Sequence, residues 1–104
     1  GFKGSWLSLW LLSLGAKVCG VSLPEVPDKC LYKDLSLSDY LIDIRANICD
    51  RKKITEIITE YKPDIIFHLA AQSLVKVSYQ DPITTFETNV IGTMNILEAV
   101  RSLQ

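Results

Sequence analysis

Short apolar runs alternate with helical patterns along most of the chain, and this alternation constrains the fold more than any other feature of the sequence. The runs are rich in β-branched residues and predict three buried strands, at residues 17–22, 41–45 and 64–69. A helical pattern and short connections separate each run from the next. Such an order predicts an α/β fold with a parallel sheet and right-handed crossovers.

Helical patterns fill the stretches around these runs. The clearest is capped by Asp50 and ended by Pro63. Its apolar residues recur at positions i, i+3, i+4 and i+7, and they are Ile54, Ile57, Ile58 and Tyr61. The other predicted helices occupy residues 4–15, 28–35 and 81–102, and the second of them is expected to be capped by Asp28. The last helix carries two apolar stripes, and packing on the sheet explains at least one of them.

The first helix is so apolar that it resembles a secretory signal peptide, with Lys3 followed by an apolar run over residues 6–14. The run is too short to span a bilayer, which takes about 20 apolar residues. Serines interrupt it, and no clean cleavage site follows. The strand that comes next needs this segment as its crossover helix. We therefore expect a helix that buries its tryptophans and leucines on the sheet.

Composition excludes several classes of protein. The 104 residues are 48% hydrophobic and 22% charged, with a net charge of −1, and the basic residues do not cluster. We therefore expect one partial domain over residues 1–104 that binds no nucleic acid and no membrane. The cysteines, spaced 11 and 19 apart without a C-x-x-C motif, predict reduced thiols, a cytoplasmic location and no metal site.

Polar or small residues follow each predicted strand, where ligands of parallel α/β sheets bind. They are Ser22, Asp43 and the turn at residues 70–72. At the start of the first helix, G-F-K-G places two glycines three positions apart. Free N–H groups and the helix dipole at such a site favour a phosphate. Taken alone, these glycines are more typical of an ordinary helix start.

Four motifs in one order carry a family resemblance: G-F-K-G, D-I-R, H-L-A-A-Q and T-N-V-I-G-T-M-N-I-L-E-A. Together they resemble the sugar-nucleotide branch of the extended short-chain dehydrogenase/reductase family. The resemblance implies a Rossmann-like, doubly wound sheet, incomplete because its first strand and C-terminal half lie outside these residues. Within the branch, the lysine of G-F-K-G and the tryptophan-rich first helix are most similar to dehydratases that act on CDP-glucose.

The resemblance also assigns site residues. The positions matched to the cofactor, NAD with NADP not excluded, are Gly1, Phe2, Lys3, Gly4, Ser22, Asp43, Ile44, Leu69, Ala70, Ala71, Gln72 and Asn89. The positions matched to the substrate side are Ser78 and Tyr79, in a loop whose side chains could equally pack locally. The family's catalytic Y-x-x-x-K pair is absent from the 104 residues, so no catalytic residue is expected in this chain.

Individual assignments have alternatives. Ser22 stands where many relatives carry an acidic residue for the adenosine ribose, so it does not indicate NAD or NADP. Asp43 matches the adenine carboxylate of the family but could instead cap its strand. Asn89 more often anchors a neighbouring strand than touches a ligand. His68, the lone histidine, is expected to be a packed residue with a hydrogen-bonded ring rather than a catalytic one.

For the whole enzyme, the resemblance implies a lyase that converts CDP-glucose to CDP-4-keto-6-deoxyglucose in polysaccharide biosynthesis. Hydride leaves C4 for NAD, water is eliminated across C5 and C6, and the hydride returns to C6. Another nucleotide-sugar epimerase or dehydratase, or a non-catalytic dinucleotide-binding module, stays open as an alternative. By the same analogy, the last helix forms a homodimer. This chain by itself is predicted to be unstable, because strand edges are left unpaired.

Overall fold

The computed structural model describes residues 1–103. The elements, in chain order, are α1 (Phe2–Ser13), β1 (Cys19–Ser22), α2 (Leu31–Asp34), β2 (Ile42–Arg45), α3 (Arg51–Tyr61), α4 (Val75–Gln80), α5 (Pro82–Phe86) and α6 (Thr93–Arg101). A 3-10 turn (Leu37–Asp39) precedes β2, and a π-helical segment (Glu87–Gly92) joins α5 to α6. The chain divides into a first unit, Gly1–Arg45, and a second unit, Ala46–Gln104.

The first unit contains the sheet. Strands β1 and β2 pair in parallel, in a register that runs from Cys19 opposite Ile42 to Ser22 opposite Arg45. The sequence predicted both strands and their parallel arrangement, and both predictions are confirmed. Because the two strands end side by side, Ser22 and Arg45 lie at the same carboxyl edge of the sheet.

Helix α1 ends at Ser13, and the predicted stop, Gly15, follows its C-cap Leu14 with a φ of +82°, the left-handed conformation that glycine adopts without strain. The N–H of Gly15 donates to Leu12 O, and that of Ala16 donates to Leu11 O. The expectation that this helix buries its tryptophans is wrong, since Trp10 is 65% exposed and Trp6 is exposed as well. Apolar residues surround the whole circumference of α1, so packing against α2 and the 3-10 turn covers only part of them.

Helix α2 begins later than predicted. Asp28 does not cap it, because Cys30 is the residue that precedes its first turn. The carboxylate of Asp28 instead pairs with the Lys33 ammonium at 3.3 Å. The Asp28 carboxylate was expected to accept from the first backbone N–H groups of the helix, but it binds the Lys33 side chain instead.

The second unit holds the larger part of the buried apolar side chains. Helix α3 is confirmed with its cap, since the Asp50 carboxylate accepts a hydrogen bond from Lys53 N at 3.0 Å. It packs against α6 and buries Ile54, Ile57 and Ile58 of the predicted stripe, whereas Tyr61 is only partly buried. The buried apolar residues of this unit are Ala46, Ile48, Ile54, Ile57, Ile58 and Ala99.

The third predicted strand, at residues 64–69, does not form. Its backbone makes no hydrogen bond to another segment within residues 1–103, and Ile65 is 70% exposed. A strand exists through pairing with a neighbour, and nothing in the part of the chain that the structure describes pairs with this segment. The apolar run therefore stays extended and unpaired.

The C-terminal helix, here residues 82–101, is continuous through α5, the π-helical segment and α6. Asp81 caps it through Thr84 N at 3.0 Å, as the Asp81-Pro82 start predicted. Helix α4, just before it, was not predicted. No helix within residues 1–103 is both long enough and apolar enough to cross a bilayer.

Candidate functional site

The site residues fall in both units. The first unit contains Gly1, Phe2, Lys3, Gly4, Ser22, Asp43 and Ile44. The second unit contains Leu69, Ala70, Ala71, Gln72, Ser78, Tyr79 and Asn89. Each set has its own geometry, and each is held in place by a different kind of contact.

The N-terminus of α1 is open to an anion. Gly1 is the N-cap and offers no side chain, and the first intrahelical bond runs from Ser5 N to Gly1 O at 2.9 Å. The N–H groups of Phe2, Lys3 and Gly4 consequently have no partner within residues 1–103. A side-chain carbon added at Gly1 would meet nothing within 4 Å. Free N–H groups, the helix dipole and the Lys3 ammonium all favour negative charge at this end.

An arginine that was not predicted as a site residue organises the carboxyl edge of the sheet. Arg45 Nη1 donates to Ser22 Oγ at 2.8 Å and to Leu23 O at 3.2 Å. Its Nη2 donates to Asp43 Oδ2 at 2.6 Å. Asp43 therefore pairs with a guanidinium and does not cap its strand. The signal that could have found Arg45 was its spacing, two residues after Asp43 on the same face of β2.

Tyr32 completes this edge. The Arg45 guanidinium lies over its ring, 5.4 Å from the centroid, at the distance of a cation–π contact. The Tyr32 hydroxyl is buried and has no hydrogen-bond partner that meets ordinary geometry. Burial, followed by the nearby Asp43 carboxylate, raises the pKa of Tyr32 to about 12. The phenol is thus neutral, and its ring supports the arginine from one side.

In the second unit, two contacts fasten the segment at residues 68–72 to the C-terminal helix. Asn89 Oδ1 accepts from Gln72 N at 2.8 Å, and Asn89 Nδ2 donates to Gln72 O at 3.0 Å. His68 precedes Gln72 by four residues and Thr93 follows Asn89 by four, and His68 Nε2 lies 2.8 Å from Thr93 Oγ1. The Thr93 hydroxyl already donates to Asn89 O, so the ring nitrogen donates to Thr93.

These contacts bear on the expectations for Asn89 and His68. Asn89 anchors backbone, as one alternative held, and its side-chain oxygen and one amide hydrogen are already engaged. His68 has the expected hydrogen bond, but the expectation that it is packed is wrong because it is exposed. Between these two anchors, the backbone of residues 69–71 makes no hydrogen bond within the described residues. The turn is therefore held at both ends and open along its middle.

The side chain of Gln72 adds a third contact to this arrangement. Its Nε2 donates to Thr85 Oγ1 at 3.0 Å, and its Oε1 accepts from Leu74 N at 2.8 Å. The Thr85 hydroxyl in turn donates to Asp81 O. The side-chain amide of Gln72 thus shapes the exit of the turn, a role that the sequence did not predict.

Ser78 and Tyr79 lie in helix α4, not in the predicted loop. Ser78 Oγ donates to Val75 O at 2.7 Å within this helix, whereas Tyr79 is 85% exposed. The Ser78 N–H closes the first turn of this short helix by donating to Leu74 O at 3.1 Å. No group of three or more His, Cys, Asp or Glu side chains converges on a metal position within residues 1–103.

The comparisons with known proteins agree with this geometry. A sequence profile described as GDP-mannose 4,6 dehydratase matches residues 1–104. The chain belongs to this family. It is 48% identical over 105 residues to the CDP-glucose 4,6-dehydratase of Salmonella typhimurium, covering 99% of this chain and 29% of that protein. It is 35% identical over 109 residues to the GDP-mannose 4,6-dehydratase of Vibrio cholerae, covering 99% of this chain and 29% of that protein.

Solved structures show the same relationship. The chain superposes on the UDP-glucose 4-epimerase of Thermus thermophilus in complex with NAD with a TM-score of 0.85 at 30% identity, covering 98% of this chain and 31% of that one. The Rossmann-like α/β fold class and the resemblance to sugar-nucleotide enzymes are thereby confirmed. The chain spans less than a third of the length of these relatives.

Proposed function

We propose that this chain is the cofactor-binding part of an NAD-dependent sugar-nucleotide 4,6-dehydratase that converts CDP-glucose to CDP-4-keto-6-deoxyglucose. The observation that carries the proposal is the 48% identity to the CDP-glucose 4,6-dehydratase of Salmonella typhimurium over nearly the whole chain. The structure of an epimerase in complex with NAD, to which the chain is similar, supports the cofactor.

The geometry of the first unit fits a dinucleotide. The unpaired N–H groups at the start of α1 match the charge of a diphosphate, and Gly1 leaves its approach open. Asp43 and Ile44 lie at the carboxyl end of β2, where a carboxylate can accept from the adenine amine. We assign the diphosphate to residues 1–4 and the adenosine to the ends of β1 and β2.

The second unit fits the other end of the cofactor. The backbone of residues 69–71 is open, its side chains are small after Leu69, and Asn89 keeps its exit fixed. By the family resemblance, we assign this turn to the nicotinamide side of the cofactor. Bound there, NAD would accept a hydride from the sugar and return it, so no net oxidant is needed. The proposed role of the residues of this chain is to bind and orient the cofactor; the 104 residues lack Y-x-x-x-K, so we assign no acid or base among them.

The test uses the complete polypeptide, meaning the full-length protein that contains these residues. CDP-glucose, dTDP-glucose, GDP-mannose and UDP-glucose are offered to it in separate reactions. Mass spectrometry should find a product that has lost one water only with CDP-glucose. Loss of water from another of these nucleotide sugars alone would contradict the CDP assignment, and UDP-glucose converted to its C4 epimer would indicate an epimerase. Nucleotide binding without turnover of any of the four would favour the non-catalytic module.

A variant pair ties the activity to the cofactor site. Asp43→Asn should weaken NAD binding and lower turnover, because the carboxylate that accepts from adenine is lost. Glu60→Gln, which removes an exposed carboxylate of α3, serves as the matched control and should change neither. Equal effects of both substitutions would argue against a role of Asp43 in binding.

We further propose a cytoplasmic homodimer that forms through the C-terminal helix. An exposed apolar stripe supports this part of the proposal, and its residues are Ile83, Phe86, Val90, Met94 and Leu97. Replacing Phe86 and Leu97 by glutamate should convert a dimer to a monomer in analytical ultracentrifugation. The matched pair of changes at exposed Glu56 and Glu60 to glutamine should leave the sedimentation unchanged. A monomeric wild-type protein would overturn the dimer without affecting the assignment of the cofactor.

A further inference from the structure

The corner of the sheet that faces an adenosine ribose has an unusual composition. In dinucleotide-binding α/β folds, an acidic residue about 20 positions after the glycine loop binds the ribose 2′-hydroxyl of NAD, whereas a nearby arginine accommodates the 2′-phosphate of NADP. Here the end of β1 carries Ser22 at that place. The partner of the Ser22 hydroxyl is Arg45 Nη1, at 2.8 Å.

Arg45 is held firmly but is not saturated. Three of the five N–H donors of its guanidinium engage Ser22 Oγ, Leu23 O and Asp43 Oδ2. The other two, the Nε–H and one Nη2–H, have no partner within residues 1–103. The side chain is 29% exposed, and the Tyr32 ring supports it from one side. An arginine with a fixed plane and spare donors at an exposed edge is suited to an oxyanion.

We propose that Ser22 and Arg45 together recognise a phosphate on the 2′ position of the adenosine ribose, so that this chain accepts NADP as well as NAD. The inference rests on the cofactor-binding part of the proposed function and not on the sugar-nucleotide substrate. The Ser22 hydroxyl and the two spare N–H groups supply donors, and no carboxylate occupies residue 22 to repel the phosphate. Asp43 offsets part of the Arg45 charge, so dual acceptance is expected rather than strict preference for NADP.

The test compares two ligands that differ only in the 2′-phosphate, 2′,5′-ADP and 5′-ADP, by isothermal titration calorimetry on the complete polypeptide. This readout does not depend on turnover. Charge-assisted hydrogen bonds to the phosphate should make 2′,5′-ADP bind about 10-fold more tightly than 5′-ADP. NADP should then bind up to about 10-fold more tightly than NAD, because the two cofactors differ only in the 2′-phosphate and their shared part cancels from the ratio.

Variants separate recognition from folding. Ser22→Asp, on an exposed side chain, should weaken 2′,5′-ADP by about 10-fold or more and leave 5′-ADP bound at least as tightly as before, because a carboxylate repels the 2′-phosphate but accepts from a ribose 2′-hydroxyl. Arg45→Met should abolish the preference, and Arg45→Lys should restore only part of it because the planar fork is lost. Lys33→Met removes an exposed cation from the same unit and should leave the ratio unchanged. Circular dichroism of each variant checks that it is folded.

The outcomes are distinguishable from those of the proposed function. Equal affinities of the wild type for both ligands, or a ratio that Ser22→Asp does not change, would overturn the inference while NAD binding stands. Failure to bind either ligand would overturn the cofactor assignment itself. A preference for 2′,5′-ADP in a protein that does not dehydrate CDP-glucose would support the inference and refute only the proposed substrate.

Discussion

Each of the two units carries candidate cofactor-binding residues, and the two units hold these residues by different means. In the second unit, a core of buried isoleucines lies between α3 and α6, and Asn89 fixes the Gln72 turn through its backbone. In the first unit, Leu37 is the one fully buried apolar residue among those described. The contacts around Arg45 are polar and partly exposed. Substitutions in the second unit should therefore cost stability, whereas those at the edge of the sheet should change binding.

The largest effect is expected for Ile54→Ala in α3. Ile54 is buried against α6, and truncation leaves a cavity that the flanking helices fill only in part. The free energy of unfolding of the complete polypeptide, measured by urea denaturation, should fall by about 2–5 kcal/mol. Lys52→Ala on the exposed face of the same helix should change it by less than about 0.5 kcal/mol. A loss below about 1 kcal/mol for Ile54→Ala would show that the α3–α6 contact is not a core.

Gly92→Ala comes next, because a side-chain carbon at Gly92 would lie 2.4 Å from Ile48 Cδ1. Overpacking of this kind costs about 1–3 kcal/mol, more than the helix propensity that alanine gains. The cost should disappear in an Ile48→Ala background, where the colliding atoms are absent. Additive effects in this double-mutant cycle, followed by urea denaturation, would show that the steric explanation is wrong.

Two asparagines of the C-terminal helix make the comparison sharper within one unit. Asn95 is buried and donates to Ile48 O and Cys49 O, whereas Asn89 binds the Gln72 backbone. Replacing either by alanine leaves backbone groups without partners, buried at Ile48 and partly buried at Gln72, and should cost about 1–3 kcal/mol of stability, with the larger loss for Asn95. Under conditions where both variants are folded, calorimetry should find weaker NAD binding for Asn89→Ala and unchanged binding for Asn95→Ala. Equal affinities would remove Asn89 from the site.

Elements with local signals were predictable. The cap at Asp50 and the glycine stop after α1 follow from side chains close in sequence, and the structure confirms both. The segment at residues 64–69 has as strong a strand pattern as β2, yet it forms no strand. Pairing depends on a neighbouring segment, so a run of apolar residues cannot by itself decide whether a strand forms.

Site residues follow the same division. Asp43 and the Gln72 turn were predicted from motifs, whereas Arg45 was not, although it lies two residues from Asp43. Its importance comes from the parallel register, which places it opposite Ser22, a residue 23 positions earlier in the chain. Likewise, the Thr93 contact of His68 depends on how the extended segment lies along the C-terminal helix. Sequence patterns indicate candidate residues from motifs and miss contacts such as Arg45–Ser22, which join residues far apart in the chain.

The smallest effect tests the polar character of the first unit. Burial and the Asp43 carboxylate raise the pKa of Tyr32 to about 12, so the folded state holds the phenol proton more tightly than the unfolded chain, with its usual value near 10. Stability from this group is fully present below about pH 10 and is lost as the pH rises from there through about 12.

Absorbance of tyrosinate should show a late-titrating phenol, which Tyr32→Phe removes. Tyr40→Phe, at an exposed ring, should leave the late step intact. If Tyr32→Phe instead removes a step near pH 10, the phenol is not buried against Asp43, and the support it gives to Arg45 is absent.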